Sequence, residues 1–151
     1  MDVSIDRNGW TRCYCSDSRR AVVTAAALFP AGALPTPLLR EAGFCEFQTG
    51  RLRLPCWVWR GMLRITWMTG HRSQRTTRDE FLKRVVVVAD LIESEQSDIL
   101  LISHAGMMAY LRCELLRRGF TGPRYRIAEH GKLYVFQHGT CSGVKWNKRR
   151  D

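Results

Sequence analysis

Two short stretches of this chain carry side chains suited to holding an anion. The first is Ser16-Asp17-Ser18-Arg19-Arg20-Ala21, followed by Thr24-Ala25, and the second is Ile102-Ser103-His104-Ala105-Gly106. An arginine presents a planar fork of N–H donors, a histidine adds another, and the free N–H groups of a helix start add more. By charge and donor geometry that combination is phosphate chemistry. Each stretch is weak evidence alone, because a histidine at a strand end readily finds local partners and serves structure only. Together they require elements that bring their tips to one place.

The residue pattern supplies such elements. Thr11 to Cys15 alternates as a short strand, Ser16 and Asp17 suit a helix N-terminus, and Arg19 to Phe29 has helical composition. Pro30, Gly32, Pro35 and Pro37 predict a loop, and Leu38 to Phe47 an ambiguous, extended segment. Leu54 to Gly70 is rich in tryptophan, with Arg60 and Arg64 four apart on one face, which predicts an amphipathic helix that covers a pocket. Thr77-x-x-Glu80 is a capping box, opening a helix to about Glu95 with Phe81, Val85, Val88, Ala89 and Ile92 on its buried face. Ile99-Leu-Leu-Ile102 is a continuous apolar run, the mark of a central parallel strand covered on both faces. Met107 to Arg118 predicts a helix closed by Gly119, and Lys132 to Gln137 a last strand. Strands alternating with helices predict an α/β fold, a mostly parallel sheet with helices on both faces. In such sheets ligands bind beyond the carboxyl ends of the strands, where Ser16 and His104 fall. No composition shift marks a second domain, so residues 1–151 read as one.

Bulk properties narrow the classes. No apolar run reaches the roughly 18 residues of a membrane span, and the longest, Leu52 to Met68, is broken by Arg53, Arg60 and Arg64. The first residues do not form a secretory signal, so a cytoplasmic location is expected. The six cysteines lack zinc-ligand spacing, and buried free thiols are expected with no metal. A net charge of +10 suggests an anionic partner. The arginines are dispersed apart from the tail Lys145 to Arg150, and there is no basic recognition helix, which argues against nucleic acid.

Ser16-Asp-Ser-Arg-Arg20-Ala21-x-x-Thr24-Ala25 resembles the S-x-x-x-R-A-x-x-T-A signature of the histidine phosphatase (phosphoglycerate-mutase-like) superfamily. Leu39-Arg40-Glu41 is similar to its L-x-E element, Ile102-Ser-His104-Ala-Gly106 to its second-histidine motif, and Glu129-His-Gly131-Lys-Leu-Tyr-Val-Phe to its last strand. The resemblance runs over residues 12–137. It implies a phosphoglycerate-mutase-like fold and phosphoester hydrolysis or phosphoryl transfer through a phosphohistidine, on a phosphorylated small molecule, with no cofactor. Carried across, Arg20 and Ser16 would hold phosphoryl oxygens with help from the Ala105 N–H, His104 would stabilise charge on the transferring group, and Glu41 would be the general acid.

The sequence departs from that family at one point. The resemblance implies a first strand ending in Arg-His-Gly, whose histidine attacks phosphorus, and no Arg-His-Gly occurs in the sequence. Asn8-Gly9 follows Arg7 but asparagine cannot be phosphorylated, and His138-Gly139 lies at the other end of the chain. The chain therefore reads as incomplete at its N-terminus and inactive as it stands, with a non-catalytic module binding a phospho-ligand or a protein as the alternative. A sheet without its first strand has unpaired backbone groups at its edges. Pairing with a second copy, as a homodimer, or with the chain's own first residues would cover them.

Overall fold

The computed structural model describes residues 10–43 and 55–138. Strand β1 (Arg12–Ser16) is followed by helix α1 (Arg19–Leu28) and strand β2 (Leu34–Thr36). Then come α2 (Cys56–Met68), α3 (Arg75–Ser94), β3 (Ile99–Ile102) and α4 (Ala105–Arg117). Two-residue strands β4 (Phe120–Thr121) and β5 (Gln137–His138) pair antiparallel. The main sheet has the order β2-β1-β3, with both pairings parallel. This is the expected α/β class. Among the described residues no helix is long and apolar enough to cross a membrane.

Each core element follows from its apolar spacing. α1 buries Ala21 and Ala25, four apart, so only small side chains separate its axis from the sheet. α3 buries Phe81, Val85, Val88 and Ala89, and α4 answers with Met107, Leu111 and Leu115. At the centre Trp67, Phe81 and Tyr110 form three edge-to-face ring pairs with centroids 5.4–5.5 Å apart. Each such pair contributes about 0.5–1.5 kcal/mol beyond its burial. Arg118 ties the ends of α3 and α4 together, reaching Asp90 at 2.6 Å, Glu93 at 2.7 Å and Glu114 at 2.8 Å. Its partner Glu114 is held at about 2, well below the usual range, by bonds from Arg117 and Arg118.

Several local expectations are corrected. Residues 34–36 form a strand, not a loop, although Pro35 sits inside it. Among the described residues the strand lies at the sheet edge and pairs only with β1, where a missing N–H is tolerated. The α3 helix starts at Arg75, with Gln74 as its first flanking residue and no side-chain cap bond, so the Thr77-Glu80 box does not open it. A short 3₁₀ turn over Arg72–Gln74, capped by His71, feeds straight into α3 and makes that box redundant. α1 is capped by Ser18, not by Ser16 or Asp17. Residues 132–136 form no ladder, and only Gln137–His138 pairs. Tyr134 instead holds its segment through its hydroxyl, which accepts the Glu129 N–H at 3.0 Å, and through its ring against Tyr125. Cys13 and Cys15 are buried free thiols, but Cys56 and Cys113 are exposed, and Cys45 and Cys141 lie outside the described residues. Burial pushes the Cys13 thiol up to about 11.

Candidate functional site

The site is assembled where β1 and β3 end side by side. Register pairs Cys15 with Ile102, so the turn Ser16-Asp17-Ser18 and the turn Ser103-His104 emerge from the sheet at one level. Ser16 is fully buried, and its Oγ accepts the Ser18 N–H at 3.3 Å, which tightens the turn. Ser18 Oγ then caps α1 by accepting the Ala21 N–H at 3.4 Å. His104 has extended backbone and immediately precedes α4. Its ring reaches back to the other turn, with Nε2 3.1 Å from Ser16 Oγ and 3.2 Å from Ser18 Oγ. One histidine nitrogen therefore fixes the two strand-end turns to each other.

Glu41 enters from the third side. The segment 37–41 leaves β2 through a 3₁₀ turn, and Arg84 of α3 grips it by its carbonyls. Arg84 Nη1 donates to Pro37 O and Arg40 O at 3.2 Å each, and Nη2 to Glu41 O at 3.4 Å. Ser103 Oγ donates to Leu39 O at 2.7 Å, joining this segment to the end of β3. Arg40 forks onto Asp17, with Nε 2.6 Å from Oδ1, and so ties it to the β1 turn as well. So fixed, the Glu41 carboxylate accepts the Gly106 N–H at 3.3 Å in the first turn of α4 and the Ala42 N–H at 3.2 Å. A helix start is an anion position, and here a carboxylate of the chain itself occupies one of its donors.

Arg20, Glu41, Ser103, His104 and Ala105 are among the residues lining one cavity of about 1400 Å³. Arg20, in the first turn of α1, is exposed and makes no side-chain hydrogen bond or ion pair among the described residues. Ala105 is the first residue of α4. Of the five residues singled out in the sequence, four share this cavity. Ser16 does not line it, but its Oγ is bonded to His104, which does. His130 and His138 also line the cavity, with the His138 ring tilted against Phe120 at 4.6 Å. Among the described residues no cluster of His, Cys, Asp and Glu is placed to hold a metal ion.

The described part of the tryptophan-rich segment does not line this cavity. Within it Trp57 is 76% exposed while Trp67 packs into the core. Sequence reasoning also missed Ser18, Ser103 and Arg84. Arg84 was signalled: position 84 falls on the stripe of Phe81, Val85 and Val88, where a charged residue requires partners. The two serines carried no such signal.

A model of the histidine phosphatase superfamily (branch 1) matches residues 3–149. The chain belongs to that superfamily. No curated protein and no solved structure matches it. The mixed α/β architecture, with its parallel β2-β1-β3 sheet and four helices among the described residues, is consistent with the phosphoglycerate-mutase-like fold of the histidine phosphatases.

Proposed function

We propose that this histidine phosphatase relative binds phosphate or a phosphorylated small molecule through Arg20, His104 and the Ala105 N–H, and does not turn it over. The observation that carries the binding reading is the convergence of Arg20, Glu41 and His104 on one cavity, with the Arg20 guanidinium uncommitted among the described residues. An uncommitted guanidinium beside a helix start suits a bidentate grip on phosphoryl oxygens. Glu41 holds the Gly106 N–H, so a bound phosphoryl group competes with its carboxylate for the start of α4. Turned toward a leaving oxygen, Glu41 is the residue suited to general acid work. The silence follows from the sequence: no Arg-His-Gly occurs in it, and His104, whose Nε2 is engaged by two serine hydroxyls, is not free to attack.

The test is a thermal-shift titration with inorganic phosphate, alongside turnover of p-nitrophenyl phosphate by the 151-residue chain. At ligand tenfold above Kd, linkage gives about 1.4 kcal/mol, or roughly 3–6 °C for a chain of this size. Arg20→Ala should abolish that shift without lowering the ligand-free Tm. No shift in the parent chain would refute the binding site. Robust turnover would refute the silence, and its loss in His138→Ala would assign the nucleophile to His138.

A further inference from the structure

Helix α2 is apolar where a surface helix is ordinarily polar. Over Cys56–Met68 it contains no acid, and its only charges are Arg60 and Arg64. Trp67 is its one buried residue, so the helix is held to the core along a single edge. Trp57, Ile65 and Met68 stand at i, i+8 and i+11, a spacing that gathers them on one face turned away from the core. They are 76%, 63% and 64% exposed. Met62, 41% exposed, borders that face on one side, and the exposed Arg60 and Arg64, one turn apart, border it on the other.

Single exposed apolar residues need no explanation, but a contiguous face marks an interaction surface. Charge selects what covers it. Between Pro55 and Arg78 the sequence holds Arg60, Arg64, Arg72, Arg75 and Arg78 and no Asp or Glu. Arg60, Arg64, Arg72 and Arg75 are exposed, and among the described residues none of the four forms an ion pair. A second copy would set these arginines against their own kind, on a chain that already carries a net charge of +10. A protein partner is brought into register by charges of both signs, and this face offers only one. An anionic bilayer requires no register. Its headgroup region accepts tryptophan, its acyl chains accept the apolar face, and arginines along the border reach the phosphates.

We propose that α2 lies in the plane of an anionic membrane surface, with Trp57, Ile65 and Met68 entering the bilayer and Arg60 and Arg64 on phospholipid headgroup phosphates. The helix is about 20 Å long at 1.5 Å per residue, so it rests on the membrane and does not cross it. This face is separate from the cavity of Arg20 and His104, which no residue of α2 lines.

Co-sedimentation of the whole chain with vesicles tests this, using phosphatidylcholine alone and phosphatidylcholine mixed with phosphatidylserine. The mixed vesicles should be bound roughly tenfold more tightly. Ile65→Glu should weaken that binding roughly tenfold or more. Val23→Glu, the same change at an equally exposed position of α1, should weaken it far less. Equal losses in the two variants would mean that net charge alone drives adsorption and would overturn the proposal, as would a parent chain that binds neither vesicle. Brominated acyl chains should quench the tryptophan fluorescence of the bound parent, and Trp57→Phe should lose much of that quenching while remaining bound. Undiminished quenching in Trp57→Phe would turn another face to the bilayer and overturn the assignment to α2. Absence of vesicle binding, together with a dimer in sedimentation equilibrium that Ile65→Glu abolishes, would give the face to a second copy and likewise overturn it.

Discussion

The two outer strands of the main sheet are finished in opposite ways. β2 is short, carries Pro35, exposes Leu34, and passes into a segment tied down by Arg84, Ser103 and the Asp17–Arg40 pair. These are devices by which proteins close an edge against further pairing. β3 has none of them: it is apolar throughout, contains no proline or charge, and faces a slot. Edge position alone therefore does not make an edge strand. β2 is built to be last, whereas β3 has the composition of an inner strand although among the described residues it pairs only with β1.

The sharpest way to break this comparison is to place the same charge on both strands. Leu100→Lys buries an unpaired ammonium and should cost roughly 4 kcal/mol or more, whereas Leu34→Lys should stay within about 0.5 kcal/mol. Urea unfolding of the two variants measures both, and equal losses would erase the distinction. A smaller effect is expected at the tie behind β2. Arg84→Met keeps an unbranched apolar side chain but removes the carbonyl bonds and the guanidinium over the Phe81 ring, and should cost roughly 1–3 kcal/mol in the same measurement. The loss should be accompanied by a weaker phosphate-induced thermal shift, because Glu41 is carried on that segment.

The smallest effect concerns acid. Arg40 bonded to Asp17 holds its carboxyl below the ordinary 3.8. A depressed carboxyl contributes stability that is fully present above its unfolded value and is lost as pH falls through the folded value. The Tm difference between the parent and Asp17→Asn should therefore be constant above about pH 5 and shrink toward zero as pH falls below 4. A difference that persists at pH 2 would show that the Asp17 side chain acts by shape and not by charge.

What the sequence disclosed follows the physics of each element. α3 and α4 were legible because burial imposes a 3.6-residue repeat, and β3 because four consecutive apolar residues have few other uses. β2 was illegible because Pro35 within it and Pro37 just after it carry a turn signal, and only its place at an edge makes Pro35 harmless. The start of α3 was misread because a preceding 3₁₀ turn did the work that a capping side chain does elsewhere. In the site, Arg20 and His104 stood out by their donor chemistry at two strand ends, and Glu41 through the family resemblance alone. The supporting bonds of Ser18 and Ser103 did not, since a serine that bonds a distant carbonyl or imidazole looks like any other serine.

Gly106 gives the site a property of its own. A Cβ there would collide with the Glu41 carboxylate, whose Cδ already lies 3.1 Å from that point. The absent methyl is the seat in which the acid rests. Positions 41 and 106, far apart in the chain, thus form a lock and its key: any side chain at 106 evicts the carboxylate, and a residue shorter than glutamate at 41 leaves the seat empty. A change at either position is a change at both.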